Sequence, residues 1–288
     1  MVRILILAAL SLLAFAANSL LARVALSETD IGPEAFTLVR IVSGAIALII
    51  ILAFRGEVAS AFKAKSWTGA AMLLIYALMF SFAYIALDTG TGALALFASV
   101  QITILCVAAF RGGLSLPEVT GAAIAFFGFV YLVWPTLSSP SVWAVGAMVC
   151  SGVGWGIYTL LGRGVSNPLA LTAGNFLRAT VLALPLMAIV PPGALSDQTG
   201  LIYAVLSGAI TSGCGYAIWY AVVPRLTPAV SGVSQLLVPP IAAMMGWAAL
   251  GEPLTFRLLV ATLFIMGGLI LVITKPTWMA GTGGREPR

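Results

Sequence analysis

The sequence contains no histidine and few charged residues. Of its 288 residues only 8% are Asp, Glu, Lys or Arg, whereas a soluble domain carries about 25%. Without histidine there can be no His-based catalytic triad, imidazole metal ligand or histidine proton relay. The three cysteines, Cys106, Cys150 and Cys214, lie in apolar runs without CxxC spacing, which indicates neither a disulfide framework nor a metal site. We therefore expect no metal and no cofactor.

The sequence also lacks the motifs of common enzymes. It has no HExxH or GxSxG motif and no paired carboxylates within an apolar run, so acid–base and nucleophilic chemistry lack their residues. We predict that the protein is not an enzyme. Its net charge of +5 comes from basic residues scattered singly between apolar runs. That pattern indicates membrane orientation and argues against nucleic acid as a partner.

Long apolar runs make up most of the chain. Hydrophobic residues account for 61% of it, and the mean hydropathy is +1.11. Runs of about 18–24 residues match the thickness of a bilayer when helical. The first could instead be a signal peptide, but at about 19 residues it is long for a signal-peptide core. We predict an all-α polytopic membrane protein with ten transmembrane helices at 4–22, 34–54, 67–87, 91–110, 117–134, 141–162, 168–190, 199–223, 227–250 and 255–274.

The distribution of Lys and Arg predicts the orientation in the membrane. With the N-terminus in the cytoplasm, only Arg23 and Arg257 fall in outside loops. The basic residues that then fall inside are Arg3, Arg55, Lys63, Lys65, Arg111, Arg163, Arg225, Lys275, Arg285 and Arg288. Cytoplasmic loops carry the excess of basic residues, so we expect both termini in the cytoplasm. Short loops and the absence of an N-x-S/T acceptor are typical of a bacterial inner membrane.

One phrase occurs twice. "FAANSLLAR" at 15–23 and "WGIYTLLGR" at 155–163 place an aromatic residue, a polar residue, a leucine pair and an arginine at the same positions, 140 residues apart. Arg40 matches Arg178 and Gln101 matches Gln235 at similar spacing. We interpret residues 1–137 and 138–288 as two repeats of five helices each. Because five is odd, the second repeat enters the membrane inverted, an arrangement typical of alternating-access transporters.

The chain resembles a known transporter family. The segment "GYAIWYAVVPRLTPAVSGVSQLLVPPIAAMMGWAALGEPLT" (215–255) is similar to the end of a ten-span EamA-type member of the drug/metabolite transporter superfamily. The resemblance extends over the whole chain and is greatest to YddG-type exporters of aromatic and other neutral amino acids. It departs at "RGGLSLPE", which stands where the family has a glutamate-bearing hairpin. The resemblance implies a monomer whose central cavity excludes the fifth and tenth spans.

Aromatic residues recur at i, i+3 and i+4 within several predicted spans. These positions share one helix face, so their rings can form a common surface for an amphipathic solute. Packing between helices, or a place in the interfacial aromatic belt, is the alternative. The candidates for substrate contact are Phe15 with Asn18, Phe82 as the repeat partner of Tyr216, Trp155 with Tyr158, and the cluster Tyr216, Trp219 and Tyr220.

Four polar residues at membrane depth complete the candidate site. The amides of Gln101 and Gln235 could bind a carboxylate or an ammonium group, or could join two helices. Arg40 and Arg178 lie within predicted spans, where an arginine costs about 2.5–3.5 kcal/mol on insertion scales. Each could bind a substrate carboxylate or brace its own half by bonding helix-end carbonyls.

No carboxylate lies deep in a predicted span, and Asp88 at the end of the third is the nearest. Proton-coupled carriers usually bury a group that gains and loses a proton. We therefore predict facilitated export of small amphipathic metabolites, chiefly aromatic and other neutral amino acids. Export of drugs or other metabolites, with or without proton coupling, is the alternative.

Overall fold

The computed structural model describes residues 2–63, 66–112, 116–134, 141–162, 165–222, 235 and 237–273. Regular structure in these residues is helical throughout. The α-helices are α1 (Val2–Glu28), α2 (Gly32–Phe54), α3 (Val58–Lys63), α4 (Trp67–Tyr84), α5 (Thr89–Gly112), α6 (Leu116–Val133), α7 (Val142–Leu161), α8 (Pro168–Ala183), α9 (Gln198–Val205), α10 (Gly215–Val222), α11 (Val238–Leu250) and α12 (Phe256–Ile273). The π-helical segment Leu206–Cys214 joins α9 to α10, and 3₁₀ turns cover Leu184–Ala188 and Ala194–Ser196.

Each of the ten predicted runs contains described helix. Seven helices are long and apolar enough to cross a membrane, and three shorter apolar stretches, 119–132, 238–250 and 256–271, accompany them. Large apolar side chains such as Phe54 and Leu263 are 90% and 74% exposed, which suits lipid rather than water. The class of all-helical membrane protein is confirmed. The first part of the predicted ninth span, 227–234, lies outside the described residues, and the exact set of ten spans stays a prediction.

Local sequence explains where several helices begin and end. The side chains of Ser66, Asn167 and Asp197 accept hydrogen bonds from backbone N–H groups three residues later, which caps α4, α8 and α9. Gly251 ends α11 in the left-handed conformation with φ +66°, which favours glycine. The chain therefore reverses immediately before Glu252.

Small residues allow the central helices to approach closely. α7 packs between α4 and α5. A Cβ atom on Gly154 would stand 3.1 Å from the Met72 carbonyl oxygen, and one on Gly152 would collide with Ser99. These glycines let the backbones touch, as small residues do at membrane helix interfaces. In the same way α1 packs against the π-helical segment, α10 and α11.

A second hydrophobic cluster lies apart from the main core. It joins α6 and α12 to one face of α5 through Leu94, Ala125, Leu258 and Ile265, among others. The rings of Phe127 and Phe264 pack edge to face across the same pair of helices. The fifth and tenth apolar segments thus pack mainly against each other, beside the core.

Candidate functional site

A cavity lies among helices from both halves of the chain. Its walls come from α1, α4, α5, α7, the π-helical segment and α10, together with Gln235. The free space is about 40 Å³, room for a few water molecules. Its apolar lining consists of Phe15, Tyr76, Phe80, Leu96, Phe97, Trp155 and Tyr216, and its polar lining of Asn18, Ser19, Thr211, Ser212 and Gln235. In the described residues, α6 and α12 contribute nothing to it.

Trp155 is the centre of the aromatic wall. Its indole stacks on Tyr216, with centroids 5.4 Å apart, and on Tyr158 at 5.2 Å, and its centroid lies 4.7 Å from that of Tyr76. Phe15 extends the cluster to Tyr216 at 5.7 Å. Rings from four helices therefore form one surface, suited to the apolar part of a solute.

A hydrogen-bond network holds α1 to the π-helical segment beside these rings. The Asn18 carbonyl oxygen accepts bonds from the hydroxyls of Ser207 at 2.7 Å and Thr211 at 3.1 Å. The hydroxyl of Ser212 is buried and has no hydrogen-bond partner among the described residues. Because the Asn18 oxygen is occupied, the amide offers its N–H₂ donors to other groups.

Arg40 lies directly behind the cavity wall. Its Nη2 donates to the Tyr76 hydroxyl at 2.8 Å, and its Cζ lies 5.1 Å and 4.8 Å from the ring centroids of Tyr76 and Phe80. The side chain is only 2% exposed, and its Nη1 has no partner in the described part of the chain. A buried guanidinium thus keeps donor capacity next to the cavity.

Arg178 occupies a different environment from its proposed repeat partner. Its Nη1 donates to the Gly174 carbonyl oxygen of its own helix, and its Nη2 to that of Phe62 at the end of α3. The guanidinium also lies over the Trp67 ring at 5.9 Å. These contacts, of the kind expected of a bracing arginine, tie α8 to α3 and α4, and Arg178 is not among the residues that line the cavity.

The other residues predicted from the sequence fall into three groups. Phe15, Asn18, Trp155, Tyr216 and Gln235 line the cavity. Behind them lie Tyr158, stacked on Trp155, Trp219, packed against Phe15, and Tyr220, which packs on the main core. Phe82 and Gln101 are half-buried and outside the lining.

Three cavity rings, Tyr76, Phe80 and Phe97, are not among the residues predicted from the sequence. The signal that finds Tyr76 and Phe80 is the 140-residue spacing of the repeated phrase, which leads from Tyr216 and Tyr220 to positions 76 and 80. The shorter spacing of 134, which relates Gln101 to Gln235, leads to Phe82 instead.

A polar cluster joins three elements at one end of the protein, the end predicted to lie outside. Arg23 near the end of α1 donates to the carbonyl oxygens of Tyr84 and Ile85, at 3.1 and 3.0 Å, and to Glu252 at 3.2 Å. Asp88 lies 3.7 Å from the same guanidinium. We call Arg23, Tyr84, Ile85, Asp88 and Glu252 the end cluster.

Glu252 is the buried acid of the end cluster. It is 9% exposed, in the loop between α11 and α12, and accepts the Thr89 N–H at 2.8 Å. Burial raises the pKa of its carboxyl, and the Thr89 hydrogen bond and the Arg23 charge oppose this only in part. Among the described residues, no three Cys, Asp or Glu side chains converge as metal ligands would.

Sequence comparisons find transporters among the proteins similar to this chain. The model of the EamA-like transporter family matches residues 142–274. An uncharacterized protein of Pseudomonas aeruginosa is 46% identical over 284 residues, 98% of each chain. A probable terminal-alkyne amino-acid exporter of Streptantibioticus cattleyicolor is 26% identical over 211 residues, 70% of each chain.

A solved crystal structure shares the fold. It superposes with a TM-score of 0.68 and covers 97% of this chain and 99% of its own, at 17% sequence identity. The arrangement of helices described above is therefore one that a known protein adopts over its full length.

Proposed function

We propose that the chain is a member of the EamA-like transporter family, whose model matches residues 142–274, and that it exports small amphipathic metabolites, chiefly aromatic and other neutral amino acids. The observation that carries this proposal is the cavity itself. Both halves of the chain supply its rings, and hydroxyl and amide groups lie among them. A solute with an apolar side chain and a polar head matches the chemistry of such a lining, and the cavity must widen from its present volume of about 40 Å³ to admit it.

The name of one relative supports amino acids as the substrate class. The Streptantibioticus cattleyicolor protein is a probable exporter of a terminal-alkyne amino acid. Trp155 and Tyr216, stacked at 5.4 Å, provide a flat apolar surface for such a side chain. We propose a monomer in the bacterial inner membrane that acts without a cofactor.

The packing of the helices supports two inverted repeats that work by alternating access. α1 packs against the π-helical segment and α10, and α7 packs against α4. Likewise α5 packs against α7, and α11 against α1. The predicted repeats relate α1 to α7, α4 to the π-helical segment with α10, and α5 to α11. Under this exchange the packing of α1 on the π-helical segment and α10 corresponds to that of α7 on α4. The packing of α5 on α7 likewise corresponds to that of α11 on α1. Two related halves can adopt two arrangements of similar energy, each open to one side.

The end cluster supplies a closure for one of these arrangements. Arg23 connects α1 to the end of α4 and to the loop after α11, which are elements of both proposed repeats. The charge count predicts this end to be outside. We infer that the cluster holds the outer side shut while the cavity loads from the cytoplasm.

We propose facilitated rather than proton-coupled export. A second candidate, proton-coupled export of drugs or other metabolites, is favoured by one observation: the raised pKa of Glu252. Against it, Glu252 lies in a loop at one end, outside the cavity lining. A carrier of a proton is normally placed where substrate and proton can compete.

The test is uptake into proteoliposomes that contain the purified protein. A panel of unlabelled amino acids should compete with one labelled aromatic amino acid, and net movement should follow its concentration gradient alone. Uptake that requires an imposed pH gradient would favour the second candidate. Lack of competition by any amino acid, with transport of another amphipathic solute, would overturn the substrate class.

A further inference from the structure

We propose that Arg40 makes this cavity an anion site. It selects solutes that carry a carboxylate on an apolar body, and it does not require an ammonium group. This inference rests on the proposed transport function and narrows its substrate class. The geometry around Arg40, described above, carries it.

The first step is the unbalanced charge of Arg40. The guanidinium is buried in a membrane-spanning helix, where an unpaired cation is unfavourable. The ion pairs of the described chain join Arg23 to Asp88 and Glu252, and none involves Arg40. Its contacts are the Tyr76 hydroxyl and two ring faces, which stabilise a cation without neutralising it. An anion in the cavity would supply the missing charge.

The second step is the position of that charge. Tyr76 and Phe80, which contact the guanidinium, line the cavity together with Tyr216. The Tyr76 hydroxyl accepts its hydrogen bond from Arg40, so its own proton remains to be donated. A carboxylate beside Tyr76 could therefore receive that proton's hydrogen bond and feel the guanidinium behind it.

The third step is the character of the remaining polar groups. The Ser212 hydroxyl lacks a partner, and the Asn18 oxygen is occupied, so both residues can offer donors. Among the described lining residues there is no Asp or Glu. A carboxylate, which only accepts hydrogen bonds, finds several donors here. An ammonium group finds ring faces and no carboxylate.

Arg178 shows what a bracing arginine looks like in the same protein. Both of its terminal nitrogens donate to backbone carbonyl oxygens, and it does not line the cavity. Arg40 has neither of these features: one nitrogen bonds a cavity tyrosine, and the other lacks a partner in the described residues. The matched pair therefore provides a control.

The test measures equilibrium binding to the full-length protein in lipid nanodiscs by calorimetry. Three probes share one phenyl ring: 3-phenylpropionate with a carboxylate, L-phenylalanine with both groups, and 2-phenylethylamine with an ammonium group alone. We expect the first two to bind with similar Kd values, and 2-phenylethylamine to bind about tenfold or more weakly. Equal binding of 2-phenylethylamine and 3-phenylpropionate would overturn the anion site.

Variants locate the effect at Arg40. Arg40→Gln should raise the Kd for 3-phenylpropionate by about tenfold or more, and Arg178→Gln should leave it within about twofold. If Arg40→Gln does not fold, Arg40→Lys, which keeps the charge but loses the planar fork, should still weaken binding. An unchanged Kd in whichever Arg40 variant folds would overturn the assignment.

Transport assays separate this inference from the function on which it rests. If none of the three probes binds while another amphipathic solute crosses proteoliposomes, the anion site is wrong and the transport function stands. If 3-phenylpropionate binds through Arg40 and no solute crosses, the anion site stands and the transport function is wrong.

Discussion

Replacing Arg23 by methionine should open the cavity toward the end of the protein predicted to be outside. Arg23 fastens α1 to two carbonyl oxygens at the end of α4 and to Glu252 in the loop after α11. Methionine keeps an extended apolar side chain but removes the charge and every donor. The state in which the end cluster is assembled therefore loses stability relative to the open state.

The expected size of this effect follows from the contacts. A hydrogen bond that involves a charged group contributes about 1.5–3 kcal/mol when water is excluded. The Arg23 side chain is 18% exposed, and freed carbonyl groups at this end can be hydrated again once the cluster opens. We expect a net loss of about 2 kcal/mol, which is about a 30-fold shift of the equilibrium toward the open state.

A single cysteine in the cavity reports this shift. Ser19 lines the cavity and lies one helical turn before Arg23 on the same face of α1. In a background without native cysteines, Ser19→Cys should react with a membrane-impermeant maleimide added outside, and Arg23→Met should raise the rate. Arg257→Met is the matched control, because that arginine bonds Trp134 at the same end but outside the end cluster. Equal rates with and without Arg23 would refute the closure.

A second substitution at Glu252 makes this test more specific, because it should act in the direction opposite to Arg23→Met. Burial already raises the pKa of Glu252, so the closed state takes up a proton on this carboxyl more readily than an exposed carboxyl would. Loss of Arg23 leaves that carboxylate buried without its cation. Arg23→Met with Glu252→Gln should therefore be less open than Arg23→Met alone. Acidification through the raised pKa should close the single variant but not the double variant, when the two are compared at each pH.

Three further predictions concern the cavity and its supports. Trp155→Ala should weaken substrate binding by about tenfold without loss of folded protein, whereas lipid-exposed Trp247→Ala should not; unchanged kinetics would remove Trp155 from the site. Gly208→Ala would push a methyl group into the Arg40 carbonyl oxygen and should destabilise the fold by about 1–3 kcal/mol, measured as a lower melting temperature. An unaltered melting temperature would show that the α2 backbone moves to accommodate the methyl group. Hydrogen bonding, chiefly by the Gly200 N–H, lowers the pKa of Asp197. The contribution of the Asp197 carboxylate to the stability of the fold is therefore present above the usual carboxyl pKa and is lost as pH falls through the lowered value. Asp197→Asn should flatten that dependence, and identical pH profiles would contradict it.

The sequence predicted the parts of this protein that depend on periodicity. Apolar runs of membrane length place every described long helix, because the bilayer requires that length. The repeated phrase identified Phe15, Asn18 and Trp155, which all line the one cavity described above. Face-sharing at i, i+3 and i+4 explains why Tyr216 and Trp219 both reach Phe15.

Contacts between distant segments could not be predicted in this way. Phe82 and Gln101 lie outside the lining because the spacing between related positions changes along the chain, and sequence alone does not say where it changes. Glu252 looked like an ordinary loop acid, since nothing local to it signals burial against Arg23, 229 residues away. The difference between Arg40 and Arg178 likewise depends on which neighbours the fold brings to each.

The π-helical segment Leu206–Cys214 gives its span a freedom that a regular helix lacks. In such a segment each hydrogen bond spans five residues, whereas in an α-helix it spans four. Each hydrogen-bonded turn of the segment therefore contains one surplus residue. That surplus can travel by exchanging one bond for its neighbour, while every polar backbone group remains satisfied in lipid. Each exchange would rotate the residues that the surplus passes, so its movement from Leu206–Cys214 into α10 would turn Tyr216 about the axis of the span. The stacked wall of the cavity can thus be turned without any part of the span unwinding.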